Sequence, residues 1–302
     1  MPASIPASID EVMTRLGDRR YISDRPLATA IFLALKLGKP LFIEGEAGVG
    51  KTEAAKVMAE VLGARLIRLQ CYEGIDIAHA VYEWNYPRQL LHIRLLNESE
   101  DRQAAEKEIF SREFLLRRPL LDAIDNDDEV PPVLLIDEID RSDEEFEAFL
   151  LELLSDFQIS IPELGTIRAR QQPFVVITSN RTREVHDALK RRCLYHWIDY
   201  PAVEKELAIV RTRAPEAADQ LAREVTLLVH GLRDMDLYKV PGVAETLDWA
   251  RSLAALGATR LDASLVDATL GAALKYQEDL ERAREAVPDL IAKASAGAAA
   301  GA

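Results

Sequence analysis

The run Gly45-Glu46-Ala47-Gly48-Val49-Gly50-Lys51-Thr52 spaces glycines, a lysine and a hydroxyl as a phosphate-binding loop requires. Glycines let successive backbone N–H groups face one anion, and the positive end of a following helix points at the same place. In such a loop Glu46, Ala47, Gly48, Val49 and Gly50 form the cradle. Lys51 reaches the β- and γ-phosphates of a nucleotide, and the Thr52 hydroxyl ligates magnesium.

Two acids, Asp137 and Glu138, follow the apolar run Val133–Ile136. A carboxylate at the end of a buried strand beside a phosphate loop can support a magnesium ion, which is the role for Asp137. Glu138 is then placed to orient and activate an attacking water. Asn180 ends another apolar run, Phe174–Thr178. Its neutral amide can hold the water or touch the γ-phosphate, although an asparagine there also serves as a turn residue or N-cap. The basic cluster Lys190-Arg191-Arg192 offers an arginine for the transferred phosphoryl group, or else is a solvated charge run. His79, His92, His186 and His196 show no metal-ligand spacing.

These groups need elements to position them. Pro40 precedes the short apolar run Leu41–Ile43, the loop follows, and Thr52–Leu62 reads as a helix ended by Gly63. Arg65–Gln70 alternates as a strand does, completing a strand–loop–helix–strand unit of the α/β type. Helices are also expected near 9–16, 26–37, 97–121 and 144–157. Gln158–Ile161 and Thr166–Ala169 flank Pro162-Glu163-Leu164-Gly165 as a hairpin. The aromatics Tyr72, Tyr82, Trp84 and Tyr86 lie in a segment open to a hairpin or a loop. In a strand Tyr82, Trp84 and Tyr86 would share one face, either packing on the domain or meeting a protein client. After Pro201 only helical patterns remain, near 202–213, 216–234, 243–256 and 262–286. The Ala/Gly/Ser tail is expected to lack regular structure.

The 302 residues are 48% apolar and 29% charged, which is ordinary globular composition. With 37 basic and 51 acidic side chains the net charge is −14, which argues against a nucleic-acid coat. Two cysteines make no disulfide framework and no zinc signature. The expectation is a cytoplasmic protein without a signal peptide or a transmembrane segment.

The phosphate loop, the acid pair, Asn180 and the basic cluster, in this order before a helical region, resemble the AAA+ ATPases over about residues 10–290. There they are the Walker A loop, the Walker B strand, sensor 1 and the arginine finger. The resemblance implies a parallel-sheet P-loop nucleotide-binding α/β domain (1–200), an all-helical lid domain (201–290) and a disordered tail (291–302). It implies ATP and Mg2+ as cofactors and a homo-oligomer, with a hexameric ring expected. The pattern Ala188-Leu189-Lys190-Arg191-Arg192 puts the finger on Arg192, with Arg191 as fallback. The adenine falls near Tyr21 and Ile22, where a plain packing aromatic is the other reading.

The insert 72–97, the hairpin before Asn180 and the Ile161–Ile167 run are similar to the MoxR branch. Tyr82–Tyr86, Arg191–Trp197 and Pro241–Trp249 are similar to the CoxD type, accessory ATPases of carbon monoxide dehydrogenase and other molybdenum hydroxylases. This implies a chaperone-like ATPase maturing a metalloenzyme client, with an adaptor carrying a von Willebrand factor A domain. The sequence departs from the branch at sensor 2. Val243-Ala244-Glu245-Thr246 stands where relatives carry an arginine, and Arg251 lies two turns on. Rival readings are a small-molecule kinase or GTPase, a nucleic-acid-directed AAA+ motor and a nucleotide-gated scaffold with slow hydrolysis. No Asn-Lys-x-Asp element for guanine is present.

Overall fold

The computed structural model describes residues 5–95 and 108–300. Its contacts divide the chain into two units. The first holds residues 1–15, 25–44 and 52–197. The second holds 198–302 together with 16–24 and the loop 45–51.

The first unit is built on a five-stranded sheet in the order β2-β5-β8-β1-β9. These strands are β1 (Leu41–Gly45), β2 (Leu66–Gln70), β5 (Val133–Asp137), β8 (Phe174–Ser179) and β9 (Leu194–Ile198). Strands β1, β5 and β8 are buried at every position, as uninterrupted apolar runs in a covered parallel sheet should be. Parallel pairing sets Gln70 opposite Asp137 and Glu44 opposite Ser179. The carboxyl ends of the strands therefore carry Gln70, Asp137, Ser179 and Glu44 together.

Edge strand β2 alternates, with Ile67 and Leu69 buried and Arg68 exposed. Strand β9 is the other edge and was not expected from the sequence. Its half-buried Leu-Tyr-His-Trp-Ile alternation follows a basic run and lacks a fully apolar stretch. The Leu194 N–H donates to Pro40 O at 2.8 Å, and the Tyr195 ring stacks on Phe42 with centroids 6.0 Å apart.

Helices α1 (Ile9–Asp18) and α2 (Arg25–Leu37) precede the sheet, and α3 (Lys51–Leu62) follows the loop. The insert begins with α4 (Ile77–Ala80). It continues as β3 (Tyr82–Trp84), paired antiparallel with β4 (Leu115–Arg117), and as α5 (Tyr86–Leu95) between them. Tyr86 thus starts a helix and does not share a strand face with Trp84. A helix over 97–121 is not what forms. Residues 97–107 lie outside the described residues, 112–114 make a 3-10 turn, and Leu115 enters β4 opposite Trp84. Pro119 then opens α6 (Pro119–Ile124), where its missing N–H costs nothing. Helix α7 (Glu144–Asp156) leads to the hairpin β6 (Gln158–Ile161) and β7 (Gly165–Arg168), and α8 (Asp187–Arg192) precedes β9.

The second unit carries α9 (Val203–Arg213), α10 (Asp219–Arg233), α11 (Val243–Ala255), α12 (Ala263–Thr269) and α13 (Gln277–Ala300). Val210, Leu228, Trp249, Leu253 and Val266 are its core. The helix expected over 262–286 breaks at a 3-10 turn, 270–272, around Gly271. The tail expected to be disordered from 291 is instead the end of α13. Alanine is the strongest helix former, and Ala294 and Ala298 are buried there.

Candidate nucleotide site

Asp137 ends β5 with its side chain buried. Its Oδ1 accepts from the Thr52 hydroxyl at 3.0 Å and from the Thr178 hydroxyl at 2.5 Å. Its Oδ2 accepts from Arg68, Nε at 3.0 Å and Nη2 at 2.5 Å. A hydroxyl and a carboxylate are the hard oxygen donors that magnesium takes from protein, with phosphates and water supplying the rest. Among the described residues no cluster of three or more His, Cys, Asp or Glu is suited to a metal. The Thr52–Asp137 pair offers two such oxygens, which suits an ion that brings phosphate and water ligands of its own.

Glu138 adopts a left-handed backbone, φ 56° and ψ 51°, which is uncommon for a non-glycine residue and costs energy. Several contacts hold it there, among them the Arg141 N–H on its carbonyl at 3.0 Å and the Arg141 guanidinium 3.4 Å from its Oε2. The Glu138 N–H donates to Thr178 Oγ1 at 3.0 Å, and its Oε2 accepts from Gln70 Nε2 at 3.0 Å. Thr178 thus binds both acids, and Gln70 steers the second. Neither was singled out in the sequence. The signal is their register on neighbouring strands, which sequence alone does not provide.

Asn180 follows β8. Its N–H donates to Asp140 Oδ1 at 3.1 Å, while Thr182 gives Asp140 Oδ2 both its N–H and its hydroxyl. Asp140 is buried on the 3-10 turn 139–141 and was also missed. Its spacing of three from Asp137 is the only trace in the sequence.

The loop 45–51 is held within the second unit. Lys51 is buried and turns back on the loop, donating to Gly45 O at 2.8 Å and Glu46 O at 2.5 Å. Gly48, at φ +79°, gives its carbonyl to the Ala244 N–H at the start of α11, 3.2 Å away. A Cβ on Gly242 would lie 2.8 Å from Ala47 O and 3.0 Å from Gly48 Cα, so the backbones meet without side chains. Glu245 accepts from the Gly242 N–H at 2.9 Å. The phenol of Tyr200, beneath the Arg233 guanidinium, is pushed up to about 12 by burial and then by the Glu46 carboxylate, so it stays neutral.

No arginine stands at the start of α11. Arg251 donates to Arg213 O and pairs with Glu216 at 3.5 Å, and Arg233 is committed to buried Glu206. Tyr21 and Ile22 are half-buried in the segment 16–24, grouped with the loop. On α8, Arg192 donates to Leu151 O at 2.6 Å. Arg191 is 82% exposed, with Asp187 3.9 Å away.

No helix among the described residues is long and apolar enough to cross a membrane. No curated protein matches the chain. Among solved structures, the RuvB Holliday junction branch migration motor of Thermotoga maritima is 19% identical, with 88% of this chain and 72% of that chain covered and a TM-score of 0.45. A mutant of the same motor gives 20%, 88%, 73% and 0.47. Residues 40–193, just over half of the chain, match the family model described as AAA domain (dynein-related subfamily). The chain belongs to that family and is an ATP-hydrolysing enzyme.

Proposed function

We propose that the chain is a magnesium-dependent ATPase of the MoxR type that does conformational work on a protein client. Glu46–Gly50 and Lys51 bind the phosphates. Thr52 and Asp137 hold the magnesium ion, which neutralises phosphate charge when bound. Glu138 orients the attacking water and draws on its proton, and Asn180 positions the same water. Tyr21 and Ile22 lie against the adenine. The observation that carries this reading is the division of labour at one strand end. Thr52 and Thr178 converge on Asp137, while Glu138 is turned away and held by Gln70. Glu138→Gln tests it: ATP binding should persist while turnover falls at least about a hundredfold. Full turnover would remove Glu138 from its role.

In this reading the protein works in the cytoplasm as a homo-oligomeric ring, a hexamer by the family resemblance. Arg192 completes a neighbour's site, with Arg191 the alternative. The Leu151 carbonyl takes only one of the five donors of Arg192. Hydrolysis per subunit should rise with concentration through assembly, and full activity in a dilute monomer would sink the finger. The client is a metalloenzyme of the molybdenum hydroxylase class, such as carbon monoxide dehydrogenase, reached through a von Willebrand factor A adaptor. That assignment rests on the resemblance of 82–86, 191–197 and 241–249. Trp84 is buried, so client contact falls to the exposed Tyr86, Leu90 and Ile93 of α5. Capture on Glu138→Gln under ATP, compared with Leu90→Ser in the same background, tests the client and the surface together.

A further inference from the structure

The Asp137 carboxylate has two differently furnished oxygens. Oδ1 is fixed by two short hydroxyl side chains, Thr52 and Thr178. Oδ2 takes both Nε and Nη2 of Arg68, with the Thr52 hydroxyl farther off at 3.3 Å. The Arg68 side chain is 47% exposed, whereas that of Asp137 is 2% exposed. A buried carboxylate without a counter-charge is costly, and a planar guanidinium is the side chain best shaped to supply one. The arginine comes from edge strand β2, whose register sets Gln70 directly opposite Asp137. Arg68 stands at the exposed position of that strand, between buried Ile67 and Leu69, so its side chain has solvent to withdraw into.

We propose that Arg68 stands in for the metal at Asp137, and that a divalent cation must displace it to enter. This deepens the reading above and rests on Thr52 and Asp137 being the magnesium residues. The same guanidinium also hydrogen-bonds Gln70 Oε1, and Gln70 Nε2 holds Glu138. Displacement of Arg68 therefore frees one end of the amide that positions the water-orienting acid. Release of Arg68 from Asp137 would in this way be felt at Glu138 through Gln70.

The test is equilibrium binding of a fluorescent N-methylanthraniloyl-ADP to the full chain, titrated with Mg2+ and repeated in EDTA. With Arg68→Gln the magnesium concentration for half-maximal binding should fall about two- to fivefold, the scale of a half-exposed ion pair. Binding in EDTA should weaken by a similar factor, because Asp137 then meets the phosphates without neutralisation. A folded Arg68→Gln protein with wild-type magnesium half-saturation overturns the proposal. Should that variant fail to fold, Arg68→Lys decides. It keeps the charge and loses the fork, so a lowered half-saturation supports displacement and an unchanged one refutes it. A wild-type protein that binds the nucleotide equally with and without Mg2+ would instead overturn the metal role of Thr52 and Asp137.

Discussion

Asp140 holds the backbone of Asn180 through a 3.1 Å bond from the Asn180 N–H, and with its other oxygen it takes both donors of Thr182. One buried carboxylate thus ties the turn after β5 to the turn after β8. Glu138 and Asn180, to which the proposed function assigns the attacking water, stand on those turns. Asp140 thus links the segments that carry them.

Asp140→Asn should expose this dependence. The amide keeps the size but replaces one acceptor with a donor aimed at other donors. Stability should fall by about 1–3 kcal/mol and kcat by about tenfold, with KM for ATP changing less. Steady-state kinetics beside thermal melts would check it. Loss of stability with kcat intact would show that Asn180 does not need the bracket.

Gln70→Ala removes the one amide holding Glu138 Oε2. The acid keeps its charge, its N–H bond to Thr178 and the Arg141 guanidinium 3.4 Å away, but loses the donor closest to Oε2. The expected result is a kcat lowered by about ten- to a hundredfold with nucleotide affinity preserved, read by turnover and by binding. Gln70→Glu should be worse than Gln70→Ala, because it sets a second carboxylate against Glu138.

Glu206, fully buried in the second unit, accepts from His230, Arg233 and Thr246. Burial raises its carboxyl, but those bonds together outweigh it and hold the group below the usual range. A depressed carboxyl stabilises the fold above its unfolded value, near about 4.3, and loses that contribution as pH falls through the folded value. Glu206→Gln should therefore cost about 3–5 kcal/mol at pH 7, since it strands buried Arg233. The gap to wild type should narrow below about pH 4. Urea melts across pH 3–8 would show it. A pH-independent gap would mean that packing, not charge, is lost.

Trp84 packs edge-on against Phe110 at 5.3 Å and stands opposite Leu115. Trp84→Ala should destabilise the first unit by about 3–5 kcal/mol. Leu90→Ser, at a position 60% exposed, should move stability by no more than about 0.5 kcal/mol. Paired melts check both. Equal, small effects would mean that the insert is not anchored through Trp84.

The phosphate loop, Asp137, Glu138 and Asn180 stand out in the sequence as candidates because each is written contiguously, beside its own strand. Gln70, Thr178, Arg68 and Asp140 do not. Their importance lies in which strand neighbours which, and Gln70 meets Asp137 only because β2 lies against β5. Strand β9 was missed for a related reason, since an edge strand shows half the apolar signal of a central one. The alanine-rich tail was misread because composition outweighed propensity: few residue types also describes a good helix. Trp84 and Tyr86 looked like one face because alternation was assumed to continue through Asn85, where the chain in fact turns from strand to helix.

The contact of Gly48 with Gly242 joins the phosphate loop to the start of α11 through main chain alone. Neither partner offers a side chain that could be lengthened, shortened or recharged. The fit between loop and helix therefore has no intermediate settings. It can be kept or broken, but not retuned by small steps, and any adjustment of how tightly the loop is gripped must come from residues around the pair, such as Glu245 or Ala244.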